Sequence, residues 1–141
     1  MTDVATHPHA VLYQRWLHAL ESGEKGPELA RFFTPDMVNV EHPNLLFPTG
    51  KRSSLEDVLR ASERGVEVVE QQRYQVRELL VLGDRIAARI SWSGVLKVGF
   101  GAFAKGDTLQ AEIAQFVTIR DGRVAENQTY DCYAPAQPRP G

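Results

Sequence analysis

Three ionisable residues are spaced so that a folded sheet could bring them together. His42 ends the run Val38-Asn39-Val40-Glu41-His42-Pro43. Asp131 closes an alternating run with Asn127 and Thr129, and Glu112 lies about one strand and a turn before it. An imidazole titrates near neutral pH, and a carboxylate bonded to it fixes its tautomer and orientation. Enclosed in one cavity, such a pair moves protons. His42 is the candidate proton acceptor, Asp131 its orienting partner or the acid, and Glu112 a second acid. Each also has a structural use. A core histidine can be satisfied by a backbone carbonyl, Asp131 by Arg123, and Glu112 by a basic residue across an exposed strand pair. Asn127 and Thr129 add neutral hydrogen bonds that can orient a ligand. Tyr13, Trp16, Trp92 and Phe116 are the candidate apolar walls, and the same rings would serve equally as plain core.

The elements that must position these groups follow from periodicity. Residues 1–9 are polar and read as a flexible N-terminus. Tyr13, Trp16, Leu17 and Leu20 recur at helical spacing from Ala10, and Gly23 marks the end of that helix. Pro27 opens a short second helix carrying Leu29, Phe32 and Phe33, which stops before Pro35. Alternation predicts a strand over 38–42 with the valines and His42 on its apolar face. Residues 44–48 form a second short strand or a loop. Ser53 and Glu56 read as a capping box for a third helix with Leu55, Val58, Leu59, Val66 and Val69 as its stripe. A meander follows, with strands over 73–82, 85–98, 109–120 and 123–133. Its last turn is Asp121-Gly122, a strong hairpin signal. The connection over 99–107 is glycine-rich and holds Phe100 and Phe103, a candidate lid or dimer contact. Residues 135–141 read as a flexible proline-rich tail.

Helices first and an antiparallel meander last give an α+β domain over residues 10–134. A twisted sheet closing over helices leaves a cone whose mouth suits a small molecule. The chain has 141 residues, a net charge of −2 and one cysteine, Cys132. That charge gives no reason to expect nucleic acid or an anionic membrane as partner. A lone cysteine builds neither an internal disulfide nor a cysteine zinc site. His7 and His9 flank Pro8 but lack further ligands, so no metal and no cofactor is expected. The first thirty residues lack the apolar run of a signal peptide or membrane span, so a cytoplasmic location is expected.

The run Val38–Pro43, the triplet Trp92-Ser93-Gly94 and the stretch from Phe116 to Asp131 together resemble the NTF2-like superfamily, in particular its ketosteroid-isomerase-like and SnoaL-like members. The resemblance spans residues 10–133. It implies an NTF2-like cone with three N-terminal helices packed on a strongly curved, mostly antiparallel sheet. It also implies a homodimer through the outer sheet face, where Arg85, Arg89, Ser91 and Ser93 would lie. The implied ligand is a small, mostly apolar or carbonyl-bearing molecule. Set against ketosteroid isomerase, itself a known case of tuned carboxyl pKa values, His42 stands where the base aspartate precedes a proline. Trp16 and Ala114 stand where the oxyanion donors would be. The steroid isomerase mechanism is therefore not implied. Nor is the arginine-bridged aspartate pair of limonene epoxide hydrolase, because Arg89 falls opposite Trp92, on the outer face. What remains is a cofactor-independent acid–base enzyme of isomerase, cyclase, dehydratase or hydrolase type. The alternatives are a ligand binder without turnover and a protein-interaction module.

Overall fold

Alternating strand patterns and two amphipathic helices assemble into one layer of helices on one face of a single sheet. The structure, a computed structural model, describes residues 4–136. The expected flexible ends fall in part outside the described residues, at 1–3 and 137–141. A 3-10 turn (Val4–Thr6) leads into α1 (Pro8–Glu21). Helix α1 starts two residues earlier than periodicity suggests, because His7 caps it. The His7 Nδ1 accepts the His9 N–H at 3.1 Å, and Pro8 supplies a preset first position. The second helix is a 3-10 segment, Gly26–Phe32. Phe33 does not belong to it. That residue opens strand β1 (Phe33–Glu41), which passes through Pro35 within a register irregularity between Phe33 and Val38.

Strand β2 (Lys51–Ser54) pairs antiparallel with β1, and α2 (Leu55–Val68) follows directly. The capping box is real but one residue later than expected. Ser54 Oγ accepts the Asp57 N–H, and Asp57 Oδ2 accepts the Ser54 N–H, each at 3.3 Å. Ser53 is a buried strand residue paired with Asn39. Residues 44–48 form a loop, held by Asn44 Oδ1, which accepts the N–H groups of Leu46 and Phe47. Gly50 closes it at φ +77°, where a Cβ would lie 2.9 Å from the Glu41 carbonyl oxygen. The meander is β3 (Val69–Leu82), β4 (Arg85–Leu96), β5 (Thr108–Arg120) and β6 (Arg123–Tyr133). The sheet order is β2-β1-β6-β5-β4-β3, and only the β1–β6 pair is parallel.

Cross-strand partners share a face, so register decides what enters the cone. The β5–β6 hairpin begins at Asp121-Gly122, both at positive φ. An uninterrupted ladder from that turn would set Glu112 opposite Asp131 and Phe116 opposite Asn127. The ladder instead shifts by one residue, so that Ile119 pairs with Val124 and Thr118 with Glu126. Ala125 is the extra residue, a bulge. Beyond it Ile113 faces Asp131, Gln115 faces Thr129 and Val117 faces Asn127. The core follows this register: Ile86, Ile90, Val117 and Val124 are fully buried against Tyr13 and Leu17 of α1.

Candidate active site

The inner face is built in rows across the sheet. Tyr74, Trp92, Ala111 and Tyr133 form one; Val76, Ile90, Ile113 and Asp131 the next. Then come Ala88, Gln115, Thr129 and Glu41, and last Ile86, Val117, Asn127 and Asn39. Helix α1 closes the opposite side with Trp16, Leu17 and Leu20. Between them lies a cavity of about 560 Å³, with Leu46, Val98 and Phe100 also in its wall. Leu46 and Val98 are partly exposed and mark its mouth.

Two carboxyls face each other in this cavity. Glu41 comes from β1 and Asp131 from β6, and the two side chains are hydrogen-bonded to one another. Burial, and then the negative charge of Asp131, pushes the Glu41 carboxyl above the usual carboxylate range. Burial raises Asp131 as well, opposed by hydrogen bonds from Thr129 and Glu41. Two like charges this close cannot both ionise cheaply, so the last proton of the pair is harder to remove than that of a separate acid.

A directed chain of donors ends on Asp131. Tyr13 Oη donates to Gln115 Oε1 at 2.5 Å, and Gln115 Nε2 donates to Thr129 Oγ1 at 3.4 Å. Thr129 Oγ1 then donates to Asp131 Oδ1 at 2.6 Å. Tyr13 is fully buried and its phenol is pushed up by desolvation, so it remains a donor. The chain favours charge on Asp131, while Glu41 Oε1 accepts from Asn44 Nδ2 at 3.2 Å, which favours charge on Glu41 in turn. Burial likewise raises the phenols of Tyr74 and Tyr133. Tyr74 Oη and Trp92 Nε1 both donate to Gln72 Oε1, at 3.1 and 3.0 Å.

Residues 13–127 match the family model described as SnoaL-like domain. The chain belongs to the SnoaL-like family. Its fold is that of the NTF2-like, ketosteroid-isomerase-like proteins. TsrD of Streptomyces laurentii is 24% identical, with 93% of this chain and 91% of that one covered and a TM-score of 0.69. IdmH of Streptomyces antibioticus, a candidate polyketide cyclase, is 21% identical over 89% of this chain and 92% of its own, at a TM-score of 0.72. A candidate SnoaL-like polyketide cyclase of Jannaschia sp. CCS1 is 16% identical over 93% and 90%, at 0.73. No curated protein matches the chain.

Within this SnoaL-like cone, the structure puts Trp16, Trp92, Asn127, Thr129 and Asp131 in the cavity wall. Tyr13 lies behind the wall, reaching it through Gln115. The other expected residues fall elsewhere. His42 is on the outer face, stacked on Tyr130 with ring centroids 4.0 Å apart and bonded to Gln128 Oε1 at 2.7 Å. No His42–Asp131 dyad forms. The valines of β1 share that outer face, because Asn39 and Glu41, their alternates, pair with the inward Asn127 and Thr129. Glu112 and Phe116 face outward by the unbroken alternation of β5, whose Leu109, Ala111, Ile113, Val117 and Ile119 face inward. Glu112 accepts the Ser91 hydroxyl at 2.8 Å, and Phe116 is 45% exposed. Sequence reasoning missed Glu41, Asn39 and Gln115. The signal was there in β1: polar residues alternating strictly with valines mark one face, and a cavity makes the polar face the inner one.

Proposed function

We propose that this chain is a cofactor-independent acid–base enzyme, of isomerase, cyclase, dehydratase or hydrolase type, acting on a small, mostly apolar molecule. The observation that carries the reading is the Glu41–Asp131 pair, two carboxyls facing each other in a mostly apolar cavity and both raised above the usual carboxylate range by burial. Glu41 is the acid and Asp131 the base. One group can donate while the other accepts, and a raised pKa brings the transfer closer to working pH. Likeness to IdmH and to the Jannaschia protein, each described as a candidate polyketide cyclase, supports the same class. Relative to the sequence reading, Glu41 replaces His42 in the dyad, and Glu112 has no part in it. Asn127 and Thr129 orient the ligand, and Trp16 and Trp92 hold its apolar body.

The reading extends to a cytoplasmic homodimer joined through the outer sheet face. There Phe116 and Tyr130 are 45% and 42% exposed, and their rings meet edge to face at 6.0 Å. Leu80 is 56% exposed, and it shares a cross-strand row with Ala87, Phe116, Gln128 and Val40. Sedimentation of wild type and Phe116→Arg checks this: a dimer that becomes a monomer is expected, and a wild-type monomer contradicts it.

The competing reading is ligand binding without turnover. It is favoured by the commitment of the lining donors Tyr74 Oη and Trp92 Nε1 to Gln72, which takes both from a developing oxyanion. A carboxyl 13C NMR titration of wild type, Glu41→Gln and Asp131→Asn tests the acid–base reading. It expects coupled titration, with one step above the ordinary carboxylate range that either substitution abolishes. Two independent acids titrating in the ordinary range would overturn it.

A further inference from the structure

The Glu41–Asp131 pair is charged once it has lost its first proton, and the cavity offers nothing to balance that charge. Among the described residues, no lysine, arginine or histidine lines it. Lys51 acts on Glu41 only from outside, with its ammonium 5.1 Å from the centre of the Phe47 ring. An enclosed charge without a partner is costly. A second unmet need lies deeper in the wall. Asn127 is 3% exposed, and its Oδ1 is a buried acceptor with no donor, its Nδ2 being used on Asn39 Oδ1 at 2.9 Å. Asn127 sits two residues before Thr129 on β6, about 7 Å along the strand. The cavity thus lacks a cation beside the carboxyl pair and a donor for Asn127 Oδ1. Its remaining surface includes the rings of Trp16, Tyr74 and Trp92, aromatic residues whose faces attract cations as well as apolar groups. A metal ion is a poor occupant, because among the described residues no three His, Cys, Asp or Glu side chains gather to hold one.

Resting on the acid–base reading of the same pair, we propose that the ligand's polar end is a protonated amine. It sits on Glu41 and Asp131, with a hydrogen-bond donor further along the molecule reaching Asn127 Oδ1.

The test compares 2-phenylethylamine, charged at neutral pH, with 2-phenylethanol, its neutral counterpart, by calorimetry or NMR shift mapping. The amine is expected to bind at least tenfold more tightly. The Glu41→Gln/Asp131→Asn double variant should lose that preference while keeping its affinity for the alcohol, which shows that its cavity still folds. Tyramine, with a phenolic hydroxyl at its far end, should bind more tightly than 2-phenylethylamine, and Asn127→Leu should remove the gain. The proposal is overturned if the alcohol binds as well as the amine, if the double variant keeps the preference, or if the cavity takes neither probe. The carboxyl titration, run on the same samples, separates the two failures. A pair that still holds its raised proton without amine preference sinks only this inference, whereas ordinary titration sinks the acid–base reading.

Discussion

The two faces of the sheet carry the same kinds of residues and put them to opposite uses. On the inner face, Asp131 accepts from a threonine and meets Glu41 in an enclosed cavity. On the outer face, Glu112 accepts from Ser91, which also accepts from Arg77 Nε at 2.9 Å, all exposed. His42, chemically the more versatile group, is also outside, in a line with Gln128 and Glu126. A carboxylate in water has its usual properties, and its ion pairs are worth little. Withdrawn from water beside a like charge, the same group holds a proton and becomes reactive. Burial, not residue type, separates the faces.

The strongest way to break this comparison is to neutralise equivalent acids on each side. With a turned-over substrate in hand, Asp131→Asn and Glu41→Gln should each lower kcat/KM by on the order of 10²–10⁴. Glu112→Gln and His42→Gln should stay near wild type. A large loss in Glu112→Gln would mean that the outer face holds the chemistry.

Stability should divide along the same line. Ile90 is fully buried on the inner face, and Ile90→Ala should cost ~2–5 kcal/mol in denaturant unfolding. Phe116 on the outer face loses mainly its aromatic partner, so Phe116→Ala should cost about 0.5–1.5 kcal/mol in the monomer. A similar cost at both positions would mean that the outer face is packed rather than open.

What was legible in the sequence follows the same division. Both helical stripes and the meander could be read because each rests on local periodicity or on a turn residue, whereas β2 (Lys51–Ser54), four polar residues without apolar alternation, was not expected. The inward set of β6 was legible too. The acid pair was not, for two physical reasons. An uninterrupted β5–β6 ladder sets Glu112 opposite Asp131 as a false acid partner, and the one-residue shift at Ala125 removes it. In β1, moreover, hydrophobic alternation pointed the wrong way. The cavity takes the polar residues Asn39 and Glu41, while Val38 and Val40 fall on an outer face that is itself partly apolar. Alternation says that two faces differ; it does not say which one encloses a void.

The acid pair also leaves a mark on the pH dependence of folding. Both carboxyls are raised in the folded state. The folded chain therefore binds more protons than the unfolded chain over a window opening near pH ~4. Their contribution to stability is full below that window and is lost as pH rises through the folded values. Glu41→Gln removes both the mutual repulsion and one buried acid. Its unfolding free energy should change less between acidic and neutral pH than that of wild type, and Glu112→Gln should leave the wild-type profile in place. Identical pH profiles for wild type and Glu41→Gln would count against a shared proton.

The smallest expected effect tests the chain of donors behind Asp131. Thr129→Val removes the hydroxyl that donates to Asp131 Oδ1, so desolvation acts with less opposition and the Asp131 carboxyl should rise further. Tyr13→Phe acts two bonds back, taking the phenolic donor from Gln115 Oε1. It should cost about 1 kcal/mol for the lost hydrogen bond and move Asp131 in the same direction by less. The ordering matters more than either shift. If Tyr13, Gln115 and Thr129 act in sequence, each substitution moves Asp131 upward, and the nearer one moves it more. If Tyr13 is only a core residue, Tyr13→Phe changes stability and leaves the carboxyl titration where it was. The same substitutions should leave self-association through the outer face untouched, because nothing in the chain crosses the sheet to His42 or Phe116.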